Sequence, residues 1–370
     1  MSNETQLDFG DVASLAPIKK LKFADGIVDG EAFDDVFLLD EINEKFKKGG
    51  GKYWTMTLRD RTGTVKAKAW DDTAFCGDPI PTRGVFVKVR ATAGTYRDEI
   101  DLTLRKIRPL AHPETIAVED FVPVGPKDRF TVVRLMEDTL NKTVFHPGFL
   151  AVCKAVFADP ALHSALRDAP AAKSVHHAFV GGLADHVYSM MGVTLSLFDH
   201  YGSEKLDLDL LLTACLFHDI GKTRELTWAT SLGYSQEGQL VGHVAIGLEI
   251  LDCFRPVYWK AVEDSFGRPA LGGEKVDSLD LGDHARARTK WVEDAAVKWN
   301  HLRHLIASHH GKLEWSAIKE PMSREAIVFH LIDMIDSRMG ALDLVDQAEK
   351  RDEEGFTGWV KVLGGPNWKP

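Results

Sequence analysis

At 370 residues, 44% of them hydrophobic and 27% charged, the chain is too long for one small core and has an ordinary globular balance, so two domains are expected. Cys76, Cys153, Cys215 and Cys253 form no C-x-x-C pair, which argues against a thiolate metal site or a disulfide framework and fits a reducing cytosol. The net charge of −10 gives no broad basic footprint, but residues 19–108 hold 18 Lys+Arg against 15 Asp+Glu and the remainder 27 against 40, so a nucleic-acid partner stays open.

Residues 1–17 read as a loose leader, polar and acidic, with no secretory signal. No apolar run approaches the ~18 residues of a membrane span, so a cytoplasmic protein without a membrane partner is expected. Residues 18–111 have a β pattern. A strand is expected near Val36 to Leu39. Trp54, Met56 and Leu58 alternate with Tyr53, Thr55, Thr57 and Arg59. After the turn Asp60-Arg61-Thr62-Gly63, Val65, Ala67 and Ala69 alternate with Lys66, Lys68 and Trp70, which predicts a hairpin. Val85, Val87 and Val89 alternate with Phe86, Lys88 and Arg90, and Ile100, Leu102 and Leu104 with Asp101, Thr103 and Arg105. About five short strands suit a small Greek-key barrel.

Residues 112–128, with Pro113, Pro123 and Pro126, read as a linker. Helical periodicity follows over 129–345. The spacing predicts a strongly apolar helix over 206–217 and another over 326–339. Residues 262–285, rich in Gly, Asp and Ser, read as an inserted loop. In the tail, 346–370, Phe356, Trp359 and Trp368 are expected to pack back on the helices.

The chemistry-bearing residues lie in the helical half. His218 and Asp219 end the 206–217 helix and offer a nitrogen and a carboxylate from one edge. His186, His243, His309, His310 and Asp333 each fall at a helix end or on an apolar helix. A lone His-Asp or His-His pair means little, and Asp333 could simply pair with Arg338. A carboxylate among Leu331, Ile332 and Ile335, however, is costly to bury without a cation. Together the set suits first-row divalent metals. Lys222, one turn past Asp219, is either a phosphate ligand or proton donor or a solvated lysine at a helix end.

The order His, His-Asp, His, His-His, Asp resembles the HD-domain phosphohydrolases over residues 186–333. The resemblance implies two divalent ions. His186, His218, Asp219 and Asp333 would hold the first, and His243, His309 and His310 the second, with Asp219 bridging. A water between them would lose a proton and attack phosphorus.

The β half resembles an OB-fold of the anticodon-binding type. If Val65, Ala67 and Ala69 face the core, Lys66, Lys68 and Trp70 share the outer face beside Tyr53, Thr55, Thr57 and Arg59. Cations beside aromatic rings suit single-stranded nucleic acid, although a solvated strand face has the same pattern.

An OB-fold barrel followed by an all-α HD domain is similar to the YhaM-type 3′→5′ exoribonucleases over about residues 21–342. The likeness includes Val175-His176-His177-Ala178-Phe179, Glu237-Gly238-Gln239-Leu240-Val241-Gly242-His243 and Ser308-His309-His310-Gly311-Lys312. It implies removal of nucleotides from the 3′ end of single-stranded RNA, sometimes DNA. Mn2+ is the implied metal, with Fe, Ni, Co, Zn and Mg as alternatives, and a homo-oligomer is an open expectation. Asp219 and Lys222 are the candidate catalytic residues. His177 and Asp336 would sit on substrate or behind the ligands. Residues 254–299 are longer than the resemblance leads one to expect, and Trp315-Ser316-Ala317 replaces a Gly-Ser-Pro turn. A cyclic-dinucleotide phosphodiesterase would show Gly-Tyr-Pro after the His-His pair, where Gly311-Lys312-Leu313 stands. A small-nucleotide phosphohydrolase and a non-catalytic nucleic-acid-binding protein are the other rivals.

Overall fold

The computed structural model describes residues 18–47, 49–75, 80–97, 99–110, 116–121, 125, 127–172, 177–228, 232–266, 281–348, 351–360 and 363–369. The leader 1–17, Cys76 and the prolines at 113, 123 and 126 lie outside them. Two compact units are present, one within Met1–Pro123 and one formed by Val124–Trp228 and Leu232–Pro370.

The first unit is a closed five-stranded barrel with the OB order β1-β2-β3-β5-β4. The strands are β1 Ala32–Phe46, β2 Lys52–Asp60, β3 Gly63–Phe75, β4 Phe86–Tyr96 and β5 Glu99–Pro109. Alternation sends Met56, Leu58, Val65, Ala67, Ala69, Val87, Val89, Leu102 and Leu104 inward. Closure needs a parallel pair, β3 on β5, with Ala67 opposite Leu102 and Ala69 opposite Leu104. The register shift between Arg90 and Ala91 adds the local twist that lets short strands curl shut. β1 is far longer than the expected strand near Val36 to Leu39 because it pairs with both β2 and β4.

The second unit is α-helical apart from a two-stranded ribbon, β6 Leu226–Thr227 and β7 Gly233–Tyr234. Its first helices are α1 Arg129–Thr143, α2 Pro147–Ala158 and α3 Pro160–Asp168. Then come α4 Gly182–Tyr201, α5 Leu208–Phe217, the short α6 Lys222–Glu225 and α7 Gln236–Val241. The last are α8 His243–Cys253, α9 Arg255–Ser265, α10 Leu281–Ser308 and α11 Arg324–Ala348. No single helix among the described residues is long and apolar enough to cross a membrane.

The segment expected to be a loop over 262–285 is helical on both sides, and only 267–280 lie outside the described residues. α10 therefore starts well before Trp299, and Ala295, Trp299, Leu302, Leu305 and Ile306 are its core-facing residues. In the tail, Phe356 bridges to Trp368 and Asp346 pairs with Arg351 and Lys369, while Trp359 stays 75% exposed.

Candidate metal centre

α5 is apolar on every side, and each residue from Leu210 to Phe217 is buried. Such a helix can only run through the middle of the unit, so His218 and Asp219 at its end arrive inside the fold. Asp207 caps its start by accepting from the Leu210 amide at 3.1 Å. Two residues later the backbone must let α8 approach. A Cβ on Gly221 would lie 2.0 Å from the His243 carbonyl oxygen, so only glycine allows His243 to reach Asp219. His186 comes from the second turn of α4, and His309 and His310 follow α10. Gly311, at φ 83°, turns the chain away against the His330 ring. Asp333 and Asp336 share one face of α11.

The structure brings all seven expected residues to one place. His186 Nε2, His218 Nε2 and Asp333 form one cluster, and His243, His309 and His310 a second, with ligand atoms in each within 4.8 Å of one another. Asp219 lies between them. Its Oδ2 is 3.3 Å from His218 Nε2 and 3.7 Å from His186 Nε2. Its Oδ1 is 3.4 Å from His243 Nε2 and 3.8 Å from His309 Nε2. Asp333 faces His186 at 3.4 Å rather than Arg338.

Hydrogen bonds behind the rings decide which nitrogens face inward. His186 Nδ1 donates to Asp336 Oδ2 at 2.6 Å, and His218 Nδ1 to the Cys215 carbonyl at 3.0 Å. His243 Nδ1 donates to Glu225 Oε1 at 3.1 Å, and His309 Nδ1 to the Ile306 carbonyl at 2.7 Å. Each bond fixes the proton on Nδ1 and leaves the Nε2 lone pair pointing into the centre. Yet His186 and His218 bring their Nε2 atoms within 3.2 Å of each other, as do His243 and His310. Where both nitrogens of such a pair present lone pairs, they repel at that distance unless a cation lies between them. Asp219 Oδ1 and His309 Nε2 are also buried with no hydrogen-bond partner among the described residues. Converging lone pairs and orphaned buried acceptors are what a divalent-metal site looks like from its protein side.

The electrostatics agree. Burial opposes charge on Asp219, but Lys222, His218 and His243 outweigh it and hold the carboxyl well below its usual range. Burial likewise opposes ionisation of Asp333, and the histidines around it, His186 first, pull it down. At His186 burial is overcome by Asp333 and Asp336, which push the imidazole up to about 9. The field that favours a proton on that ring favours a cation beside it. His309 and His310 move the other way, lowered by burial first and then by His310 in the one case and His243 in the other, so they stay neutral donors.

Lys222 is not a solvated lysine at a helix end. Its side chain is 12% exposed and its Nζ lies 2.6 Å from Asp219 Oδ2. Lys222, His243 and His310 open onto a cavity of about 590 Å³ that Tyr234 and Leu240 also line. His177 sits behind the centre: its Nε2 is 3.3 Å from Asp336 Oδ2, and its backbone is left-handed, at φ 50°. Asp336 joins the two layers by accepting from His186 and from the Ser189 hydroxyl. Glu225 escaped the sequence reading. It accepts from both the backbone N–H of His243, at 3.0 Å, and its ring. Nothing in its spacing marks it, because α6 is too short to show periodicity.

On the barrel, the five expected strand-face residues occupy β2 and β3. Thr55 pairs with Lys68 and Thr57 with Lys66, and Tyr53 stacks on Trp70 at 5.1 Å. The lysines are not free cations: Lys66 pairs with Glu99 and Lys68 with Asp101. Arg59, near the far end of β2, lies 3.8 Å from Asp40.

An HD-domain family model matches residues 183–338. The 3′-5′ exoribonuclease YhaM of Bacillus subtilis (strain 168) is 32% identical over 318 residues, 85% of this chain and 87% of that protein. The same-named protein of Bacillus pumilus is 33% identical over 317 residues, with the same coverage. Among solved structures, the OB domain of MM0293 from Methanosarcina mazei aligns with 25% of this chain and 86% of that domain, at 20% identity and a TM-score of 0.22. With this identity along most of both chains, an HD-domain match over the helical unit and the ligand pattern in place, the chain belongs to the YhaM family of 3′-5′ exoribonucleases.

Proposed function

We propose that this chain is a metal-dependent 3′→5′ exoribonuclease. Its helical unit cleaves phosphodiester bonds at a centre of two divalent ions, and its substrate is single-stranded RNA. The observation that carries the proposal is Asp219, one oxygen toward each histidine cluster, with the tautomers behind both clusters fixed. His186, His218 and Asp333 would hold one ion, His243, His309 and His310 the other, and Asp219 both. Imidazole and carboxylate donors suit Mn2+, the metal we favour, as well as its first-row neighbours. Ions bound there supply Lewis acidity to the phosphoryl oxygens and make water a nucleophile near neutral pH.

The chain's own residues do the rest. Asp336 and Glu225 keep the imidazoles of His186 and His243 turned inward. Lys222 offers its ammonium to a phosphoryl oxygen at the cavity edge, where it also compensates the charge of Asp219. On the barrel, the Tyr53–Trp70 stack supplies the aromatic surface for unstacked bases. Lys66 and Lys68 meet the backbone by exchanging Glu99 and Asp101 for phosphates.

The test is 5′-labelled single-stranded RNA incubated with the protein and Mn2+, with and without EDTA, beside a DNA strand of the same sequence. A ladder shortening from the 3′ end and abolished by EDTA is expected. Intact RNA in the presence of protein that carries its metal would overturn the proposal.

A further inference from the structure

We infer that the β4–β5 face of the barrel is a second phosphate-binding surface, which holds the phosphodiester backbone of a single strand away from the β2–β3 face. The inference rests on the reading of the chain as an RNA exonuclease. It begins with alternation. In β4, Val87 and Val89 point into the core and send Lys88 and Arg90 out; in β5, Ile107 points in and sends Lys106 and Arg108 out. The antiparallel register then sets Lys88 directly opposite Arg108 and Arg90 directly opposite Lys106. Like charges facing each other across a strand pair are destabilising, so the fold keeps a repulsive arrangement that an anion would relieve.

Asp34 of β1, paired in register with Arg90, takes both oxygens to that guanidinium, at 2.8 and 2.7 Å. It is thereby used up, and Lys88 and Lys106 have no ion pair among the described residues. The four cations and Asp34 line a hollow of about 200 Å³, room for phosphate groups but not for a base stack. The hollow also lacks the aromatic rings of the Tyr53–Trp70 face, so it is suited to backbone phosphates and indifferent to sequence. Around the closed barrel, β4 and β5 lie next to β1 and β3, whereas the hairpin face is β2 and β3. A strand touching both faces must wrap part of the barrel, so only a long strand reaches the second.

The test is binding of a labelled oligouridylate, in EDTA to prevent hydrolysis, titrated over a range of KCl. The strand is either about 30 or about six nucleotides long, to bracket the site size of one barrel. For the long strand, the double variant Lys88→Gln, Lys106→Gln should show a slope of log K against log[salt] shallower by about 1.4, at about 0.7 per lost phosphate contact. The short strand should keep the wild-type slope, and Lys88→Arg, Lys106→Arg should restore it for the long one. Both positions are on the barrel's outside, and unchanged melting of the double variant guards against a folding effect. An unaltered long-strand slope in the double variant would overturn the inference. So would inorganic phosphate competing as well as the strand at equal phosphate concentration. If the wild-type protein binds neither strand, the exonuclease reading fails first and this one with it.

Discussion

Removing one charge behind the metal centre tests its architecture more sharply than removing a ligand. Glu225 touches His243 twice, through the backbone N–H at 3.0 Å and the ring Nδ1 at 3.1 Å. Burial opposes its charge, but His243 pulls its carboxyl below the ordinary value, so it is an anion where it acts. Glu225→Gln keeps an oxygen in place and removes the charge that makes the imidazole a stronger donor. Carboxylates behind metal-bound histidines are worth about 10–100-fold in metal affinity. That is about 1.4–2.7 kcal/mol, the size expected of a hydrogen bond to a charged group, about 1.5–3 kcal/mol. Calorimetric titration of EDTA-stripped protein with Mn2+ should therefore show one of two binding events weakened by that factor, with the other retained. Glu225→Ala should weaken the same event further, because the His243 amide then loses its acceptor as well. Asp336→Asn should instead weaken the event to which His186 belongs. If folded Glu225→Gln binds both ions with wild-type affinity, the two-cluster assignment is wrong.

Three other outcomes follow from the same geometry. Asp219→Ala removes the carboxylate shared by both clusters and should drop RNA hydrolysis by at least about 10³-fold, while strand binding in EDTA stays near wild type; normal turnover would refute the assignment. Gly221→Ala sets a Cβ 2.0 Å from the His243 carbonyl, a backbone atom that cannot swing aside, and should cost about 1–3 kcal/mol in urea unfolding together with metal affinity. His146, at the start of α2, is pushed down to about 4 by burial and then by Lys298. A histidine depressed in this way is neutral in the fold and takes a proton more readily when unfolded. Its contribution is therefore complete above about pH 6.5 and is lost as pH falls toward 4, up to about 3 kcal/mol. His146→Gln should flatten that part of the pH–stability curve, and an unchanged curve would show that other groups cause it.

Much of this molecule was readable in one dimension because burial is periodic. Strand alternation put Val65, Ala67 and Ala69 inside and Lys66, Lys68 and Trp70 outside, and the hairpin followed. The apolar run ending at His218 marked a helix that could only be central, and the placement of His186, His243, His309, His310 and Asp333 at helix ends or on apolar helices marked them as candidate ligands, which the fold brings together. Periodicity says less where composition is rich in Gly, Asp and Ser. Of the stretch over 262–285, the ends 262–265 and 281–285 belong to α9 and α10, and 267–280 lie outside the described residues.

By itself the sequence marked the candidate ligands and the kind of element on which each one stands, since ligand type and burial pattern are local properties. The tertiary structure alone decided who meets whom. Asp219 faces both clusters because Gly221 admits α8, and Glu225 reaches His243 from a helix too short to leave a pattern. Lys66 and Lys68 lost their freedom to Glu99 and Asp101 on β5, whereas Lys88 and Lys106 have no ion pair among the described residues. Contacts between elements depend on register and approach, quantities that a chain acquires only when its elements pack.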